Sequence, residues 1–432
     1  MTLKVRGLLE RVRSQGALGQ RRNWLILVDT GTTALTGVVL LVGAARSLAP
    51  DLLSTFAVAQ LIIVTAVGIL RAAFYSPAMA AQRTTGPASI PLRWSVTIAQ
   101  PASLVVSGVV VLLVRSPNWP LWLLSVAIAI SVYLAQDALR SVLISRNQPK
   151  AILLADLSTC VLVLGTVALH RVPSSPTGLM FFWGATGMPG LAYAVLRARR
   201  GGAENERNQT LSDTWRLGRW GAADACLAAI ASLVPMVVTT TLISATASGT
   251  YRVLQTALGP LNILFTAVLT VLMLDSWHTT SLAGLRSLRR KVRTILLSMV
   301  GGAVLYLPLA LPALAWVSGL QGPDLTRAAV VVGVFGLLGS ASTPLIGAAL
   351  ALGRQHWGVG IRLVTVVVAV AVCVGSGSWV PWQDPIGVSM LASGTVVLVG
   401  WAVAYTVANR RERVRLLRSP RPTRRHPTLR DG

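Results

Sequence analysis

Long apolar runs alternate with short basic segments along the 432-residue chain. A helix needs about 20 mostly apolar residues to cross a bilayer. Twelve runs approach or exceed this length and predict membrane-spanning helices at 24–45, 52–73, 93–114, 119–143, 151–169, 177–196, 221–243, 250–274, 294–317, 327–352, 358–379 and 386–408. The pattern therefore predicts an all-α integral membrane protein.

The composition supports this prediction. Hydrophobic residues make up 53% of the chain and charged residues only 12%, whereas soluble domains carry about 25% charged residues. A soluble enzyme of several domains is therefore excluded. The three cysteines lie far apart inside apolar runs, so they fit neither a disulfide framework nor a zinc motif. We expect no metal and no cofactor.

The basic residues indicate the orientation in the membrane. Of the 39 Lys and Arg residues, 34 fall on the side that holds both termini, 4 fall on the opposite side, and Arg252 lies inside the eighth span. By the positive-inside rule, both termini are predicted on the cytoplasmic side of the cell membrane. Residues 1–23 form a basic arm, and 409–432 form a basic tail that we expect to be disordered. Membrane lipids are the expected partners of these charges, and nucleic acid is not.

The two halves of the chain resemble each other at an offset of 195 residues. Asp29 aligns with Asp224, and the run 55–60 (TFAVAQ) aligns with 250–255 (TYRVLQ) without a gap. Six spans separate the copies, and this even number gives both copies the same orientation in the membrane. The sequence therefore predicts a parallel internal repeat of the kind that transporters contain.

This repeat divides the protein into two six-helix lobes. The first lobe covers 24–197, a cytoplasmic linker covers 198–220, and the second lobe covers 221–408. Two such lobes facing each other around a central cavity suit alternating access, in which one lobe rocks against the other.

Several acidic residues lie inside the predicted spans. Ionisable groups at membrane depth usually face the bundle interior or a wet cavity. We predict a role in ion coupling or gating for Asp29, Asp137 and Asp224, and an ion pair between Asp137 and Arg140, which are three residues apart. The alternative is that an acid near a helix start complements the helix dipole. For Asp156 we favour that structural role.

The candidate substrate-binding residues are Arg71, Arg140, Arg252, Gln60 and Gln255. A planar guanidinium can hold a phosphate group through two hydrogen bonds. The alternative is that arginines near helix ends extend to the lipid headgroups.

The chain carries no recognisable enzyme signature. There is no H-E-x-x-H zinc motif and no G-x-x-x-x-G-K-[ST] phosphate loop. The loops are also too short to form a catalytic domain. We therefore expect a protein that is not an enzyme.

Twelve spans in two parallel lobes fit two large groups of transporters. The major facilitator superfamily carries a G-x-x-x-D-R-x-G-R-like motif after the second span, and this chain lacks it. The chain instead resembles the polysaccharide flippase branch of the multidrug/oligosaccharidyl-lipid/polysaccharide exporter superfamily. The resemblance is carried by Leu70–Phe74 with Pro77, by the stretch from Asp137 to Asp156, and by Gly249–Pro260.

The resemblance implies a flippase that moves a polyprenyl-pyrophosphate-linked oligosaccharide across the membrane for surface polysaccharide assembly. Glycosyltransferases or a polymerase of the same pathway would then be partners. Two alternatives remain open at this point. One is a cation-coupled exporter of small drugs from the same superfamily, and the other is a non-transporting membrane scaffold that holds glycosyltransferases.

Overall fold

The fold is built from helices in the order that the sequence predicts. The computed structural model describes residues 25–26, 28–78, 90–114, 118–200, 210–242, 245–262, 264–265, 268, 272, 282–319, 324–352, 355–379 and 385–418, and these contain helices but no strand. The helices are α1 Val28–Ser47, α2 Pro50–Leu70, α3 Ala99–Leu113, α4 Trp119–Ser145, α5 Pro149–Ala168, α6 Pro176–Arg200, α7 Leu211–Leu242, α8 Ala245–Gln255, α9 Leu282–Ser318, α10 Asp324–Ala351, α11 Gln355–Trp379 and α12 Pro385–Arg418. The all-α membrane architecture is confirmed.

Ten of these helices are long and apolar enough to cross a membrane, and α3 is a shorter apolar helix. The predicted span 93–114 is split into a short helix, Trp94–Thr97, and α3. The break has a physical cause, because Pro101 has no N–H to donate to the carbonyl of Thr97. In the span 250–274, α8 gives way to a 3₁₀ turn, Thr256–Leu258, and much of the rest lies outside the described residues.

Three helices extend beyond the predicted spans. Helix α7 begins at Leu211, inside the predicted linker, where the hydroxyl of Thr210 accepts the backbone N–H of Asp213 at 3.2 Å. Helix α9 begins at Leu282 and α12 continues to Arg418. The prediction of a disordered tail from residue 409 therefore needs correction, because 409–418 contains no helix-breaking residue and continues α12. The predicted arm 1–23 and residues 419–432 lie outside the described residues.

Both halves pack in the same way. In the first half α4 packs on α6, α5 on α6 and α3 on α4; in the second half α10 packs on α12, α11 on α12 and α9 on α10. Each contact recurs six helices later, as a parallel repeat requires. Helices α1–α6 therefore form the first lobe and α7–α12 the second.

Helix α2 joins the two lobes. It packs against α8 near its own start and against α7 near its end. The largest hydrophobic core crosses this boundary, since Phe56 and Ile63 of α2 belong to the same buried cluster as Val253 and Leu254 of α8. After Leu70 the helix passes into a π-helical turn, Arg71–Tyr75.

Candidate functional site

A group of charged side chains lies inside the first lobe, and we call it the charge cluster. It consists of Asp29 of α1, Arg71 of the π-helical turn, Asp137 and Arg140 of α4, and Asp156 of α5. Arg140 lies five residues before the end of α4, and Asp156 lies seven residues after the start of α5. At 1.5 Å per residue, these groups are about 8–11 Å from the helix ends.

Arg140 is the centre of the charge cluster. Its Nε lies 3.1 Å from Oδ2 of Asp29, and its Nη1 lies 3.4 Å from Oδ1 of Asp137. Its Nη2 contacts Oδ2 of Asp156 and donates to the hydroxyl of Thr33 at 2.7 Å. One guanidinium thus ties α1, α4 and α5 together through charge-assisted hydrogen bonds to Thr33, Asp137 and Asp156 and through an ion pair with Asp29.

Two further groups complete the arrangement. Arg71 donates from Nη2 to Oδ1 of Asp137, and its side chain is 43% exposed, so it forms the rim of the charge cluster. Gln136 donates from Nε2 to Oδ1 of Asp156 at 2.8 Å. The three acids themselves are almost completely buried.

The charges in this cluster do not balance. Three carboxylates face two guanidinium groups, which leaves one negative charge in excess if all are ionised. Oδ1 of Asp29 and Oδ2 of Asp137 are buried and have no hydrogen-bond partner within the described part of the chain. An uncompensated carboxylate is costly in a medium of low polarity unless it binds a cation or a proton. The first lobe is therefore suited to take up one positive charge.

The sequence predicts part of this arrangement. The expected pairing of Asp137 with Arg140 is confirmed by their 3.4 Å contact. Asp156, for which the sequence favoured a structural role, bonds directly to Arg140. Thr33 and Gln136 were not identified from the sequence. Each lies four residues, or one helical turn, from a charged member of the cluster, and this spacing could have indicated them as neighbours.

The equivalent position in the second lobe carries a simpler pair. Oδ1 of Asp224 on α7 lies 3.5 Å from Nε of Arg362 on α11. Both side chains are partly exposed. Gly358 leaves room for this pair, because a Cβ atom there would lie 3.1 Å from Oδ1 of Asp224. Asp29 and Asp224 thus occupy matching helices, but Asp29 belongs to a five-residue cluster and Asp224 to a pair.

The remaining predicted residues do not join the charge cluster. Gln60 is buried on α2, eleven residues or about 16 Å before Arg71 along the chain. Gln255 of α8 approaches Sδ of Met390 on α12 at 3.4 Å. Arg252 is half-buried, and its Nε has no hydrogen-bond partner among the described residues. The predicted substrate-binding residues therefore divide between the charge cluster and the helices at the lobe boundary.

In the described ranges, no group of three or more His, Cys, Asp or Glu residues is placed to hold a metal ion. Within the charge cluster, Arg140 lies among the three carboxylates.

Comparison of the sequence with protein-family models and with curated proteins gives no match. The fold, in contrast, matches solved structures over nearly its full length. An inward-facing multidrug resistance MATE family transporter of the MOP superfamily superposes with a TM-score of 0.67 at 10% identity, covering 90% of this chain and 96% of that one. The fold is that of the MATE transporters.

Two other MATE structures agree. A mutant of the Vibrio cholerae transporter VcmN gives a TM-score of 0.58 at 13% identity, covering 92% of this chain and 98% of the other. An outward-facing multidrug resistance MATE transporter gives 0.52 at 14% identity, covering 90% and 95%. The inward-facing and outward-facing neighbours are described as members of the MOP superfamily, and for this chain the resemblance to the multidrug/oligosaccharidyl-lipid/polysaccharide exporter superfamily stays a prediction. The polysaccharide flippase branch of that superfamily stays a prediction.

Proposed function

We propose that this protein is a cation-coupled exporter of small amphipathic molecules that works by alternating access, with both termini in the cytoplasm. The MATE fold supports this proposal over the flippase role, because the solved neighbours are described as multidrug transporters. The substrate would occupy the central cavity predicted between the two lobes. No covalent step is required.

The observation that carries the proposal is the excess negative charge of the charge cluster. A buried carboxylate without a counter-charge favours uptake of a cation from one side of the membrane and its release to the other. Asp29 and Asp137 each have a buried oxygen without a hydrogen-bond partner in the described ranges. Asp29 is the natural acceptor, because it forms an ion pair with Arg140, whereas Asp137 pairs with both Arg71 and Arg140.

The bonds of Arg140 explain how uptake of a cation could move helices. Arg140 contacts Asp29 of α1 and Asp156 of α5 at the same time. Neutralising Asp29 weakens its attraction to Arg140 and loosens α1 from the rest of the lobe. A coupling free energy of about 1–3 kcal/mol is typical for linked binding sites.

The test is transport in proteoliposomes that contain the purified protein. A proton or sodium gradient is imposed, and the accumulation of an amphipathic fluorescent cation is followed. We expect gradient-driven accumulation with the wild-type protein and only passive leak with Asp29→Asn. The matched control is Asp213→Asn, because Asp213 is an exposed acid in the first turn of α7, outside the cluster. Equal accumulation by wild type and Asp29→Asn would contradict the proposal.

A second candidate function is the flipping of a lipid-linked oligosaccharide, and one observation favours it. Arg252 at the lobe boundary has a buried Nε without a hydrogen-bond partner in the described ranges, and a pyrophosphate could bond to it. In a strain that lacks its own flippase, this function predicts that Arg252→Gln abolishes complementation, whereas Arg171→Gln, a change to an exposed arginine, does not. Full complementation by Arg252→Gln would contradict this role of Arg252.

A further inference from the structure

The π-helical turn at the end of α2 carries two sets of contacts that face different lobes. Arg71, its first residue, bonds to Asp137 in the charge cluster of the first lobe. Tyr75, its last residue, is 1% exposed. Residues four apart lie on one side of a helix, so the first and last residues of the turn both belong to the first-lobe side.

The middle residues of the turn pack against α7 of the second lobe at backbone distance. A Cβ atom at Gly218 would lie 2.0 Å from the carbonyl oxygen of Ala73 and 2.8 Å from the ring of Pro77. At Gly221 a Cβ atom would lie 3.3 Å from the carbonyl oxygen of Ala72. No side chain other than hydrogen fits at Gly218, because the obstacle is main chain and cannot move aside.

An aromatic pair extends this contact. The rings of Phe74 and Trp215 lie 5.9 Å apart between centroids, with an interplanar angle of 31°. We call this surface the lobe contact. It consists of Ala72, Ala73 and Phe74 of the π-helical turn and of Trp215 and Gly218 of α7.

The local sequence explains why α2 adopts a π turn here. Pro77 has no N–H and cannot donate to the carbonyl of Ala73, the partner that a regular helix would require. The backbone N–H of Ser76 donates to the carbonyl of Arg71, five residues earlier, which is the π-helical pattern. Such turns interrupt α-helices often at functional sites. They persist only where surrounding contacts hold them.

We propose that Arg71 and Gly218 are positioning residues that transmit the state of the charge cluster to the second lobe. The bond between Arg71 and Asp137 holds the π turn in the register that places Ala73 against Gly218. When this bond is lost, the π turn loses a contact that holds it, and its register can shift. A change of one residue in register rotates the following side chains by about 100°, which removes Ala73 from Gly218 and loosens the lobe contact.

The exposure of Arg71 allows its bond to Asp137 to break. Its side chain is 43% exposed, so the guanidinium can leave Asp137 without becoming a buried unpaired charge. Arg140, by contrast, is held by three acids and acts as the fixed part of the cluster. This inference rests on the proposed transport activity, but the lobe contact can be measured without any substrate.

The experiment is cross-linking across the lobe contact in the full-length protein in nanodiscs. Cys160, Cys226 and Cys373 are replaced by Ala, and cysteines are introduced as Phe74→Cys and Trp215→Cys. The rate of reaction with a short bifunctional thiol reagent then reports how often the two helices are apposed. No substrate and no ion gradient are needed, so failure here is distinguishable from failure of the transport assay.

We expect Arg71→Gln to lower the cross-linking rate about two- to fivefold, as suits the loss of a half-exposed ion pair, and Arg71→Lys to restore most of it. Gly218→Ala should lower the rate about tenfold or more, because the added methyl group meets main chain. The matched controls are Arg197→Gln, an exposed arginine on α6, and Gly37→Ala, where a Cβ atom meets nothing within 4 Å.

Two outcomes would overturn the inference. An unchanged cross-linking rate in Arg71→Gln would show that the cluster does not act on the lobe contact. An equal loss in Arg71→Gln and Arg71→Lys would show that the charge of Arg71 has no part in it. If Gly218→Ala does not fold, the comparison of Arg71→Gln with Arg71→Lys still tests the inference.

Discussion

Replacing Arg140 with glutamine tests whether the charge cluster is held by one central guanidinium. The side chain stays polar and of similar length, but Asp29, Asp137 and Asp156 lose their shared cation. The net charge of the cluster changes from −1 to −2, with Arg71 as the remaining cation. Removing one partner of a buried ion pair costs about 3–5 kcal/mol, because the other partner stays buried and unpaired.

This cost can be translated into a melting temperature. Unfolding entropy is about 2 cal/mol/K per residue, and the chain has 432 residues. A loss of 3–5 kcal/mol then lowers Tm by roughly 3–6 °C. The assay is thermal unfolding of purified protein in detergent, with Arg197→Gln as the control. Arg197 is exposed and bonds to the hydroxyl of Tyr193 at 3.1 Å, so its replacement should change Tm by less than about 1 °C.

The same variant can be combined with a second substitution. Adding Asp156→Asn removes one carboxylate that Arg140 contacts in the wild type, and it should recover part of the loss in Tm. A Tm equal to wild type at neutral pH, or a loss that simply adds to that of Asp156→Asn, would refute this reasoning.

Two further predictions follow from the packing and the surface charge. Gly190→Ala should destabilise the first lobe by about 1–3 kcal/mol, because a Cβ atom there would lie 2.4 Å from the carbonyl oxygen of Ala155. Gly165→Ala is the control and should be neutral in the same unfolding assay, because a Cβ atom there meets nothing within 4 Å. The exposed Arg286, Arg289 and Arg290 at the start of α9 can be replaced with Gln. This should reduce the stabilisation of the protein by phosphatidylglycerol vesicles by about 1 kcal/mol per residue. The measurement compares Tm in phosphatidylglycerol vesicles with Tm in vesicles of phosphatidylcholine alone. An unaltered response to the anionic lipid would contradict the second prediction.

The positions of the helices were predictable because they follow from hydrophobic length. Eleven of the predicted spans have a counterpart among the described helices, and the span 250–274 is described only in part. The differences arise where backbone chemistry intervenes. Pro101 splits the third span, and Pro77 accompanies the π turn in the second. The tail was predicted to start too early, because an Arg-rich composition resembles that of disordered segments, whereas 409–418 contains no proline and continues α12. Residues 419–432 lie outside the described residues.

The candidate site was predictable only in part. Asp29, Asp137 and Arg140 stand out as charges inside apolar runs, and the spacing of Asp137 and Arg140 gives their contact directly. The contacts of Arg140 with Asp29 and Asp156 depend on which faces of α1, α4 and α5 meet. Helix rotation of this kind is set by tertiary packing, which a single sequence does not specify. The sequence did not indicate Arg362 either, because its partner Asp224 lies on another helix.

The unequal charge of the two halves bears on the stoichiometry of exchange. In the first lobe five ionised groups leave one negative charge unbalanced, whereas Asp224 and Arg362 in the second lobe cancel each other. The two repeats therefore differ in charge: the first contains a charge cluster with a net negative charge, and the second contains a neutral ion pair. If the protein works as proposed, the first lobe takes up one coupling ion per turnover, and this stoichiometry limits the substrate concentration ratio that the ion gradient can sustain.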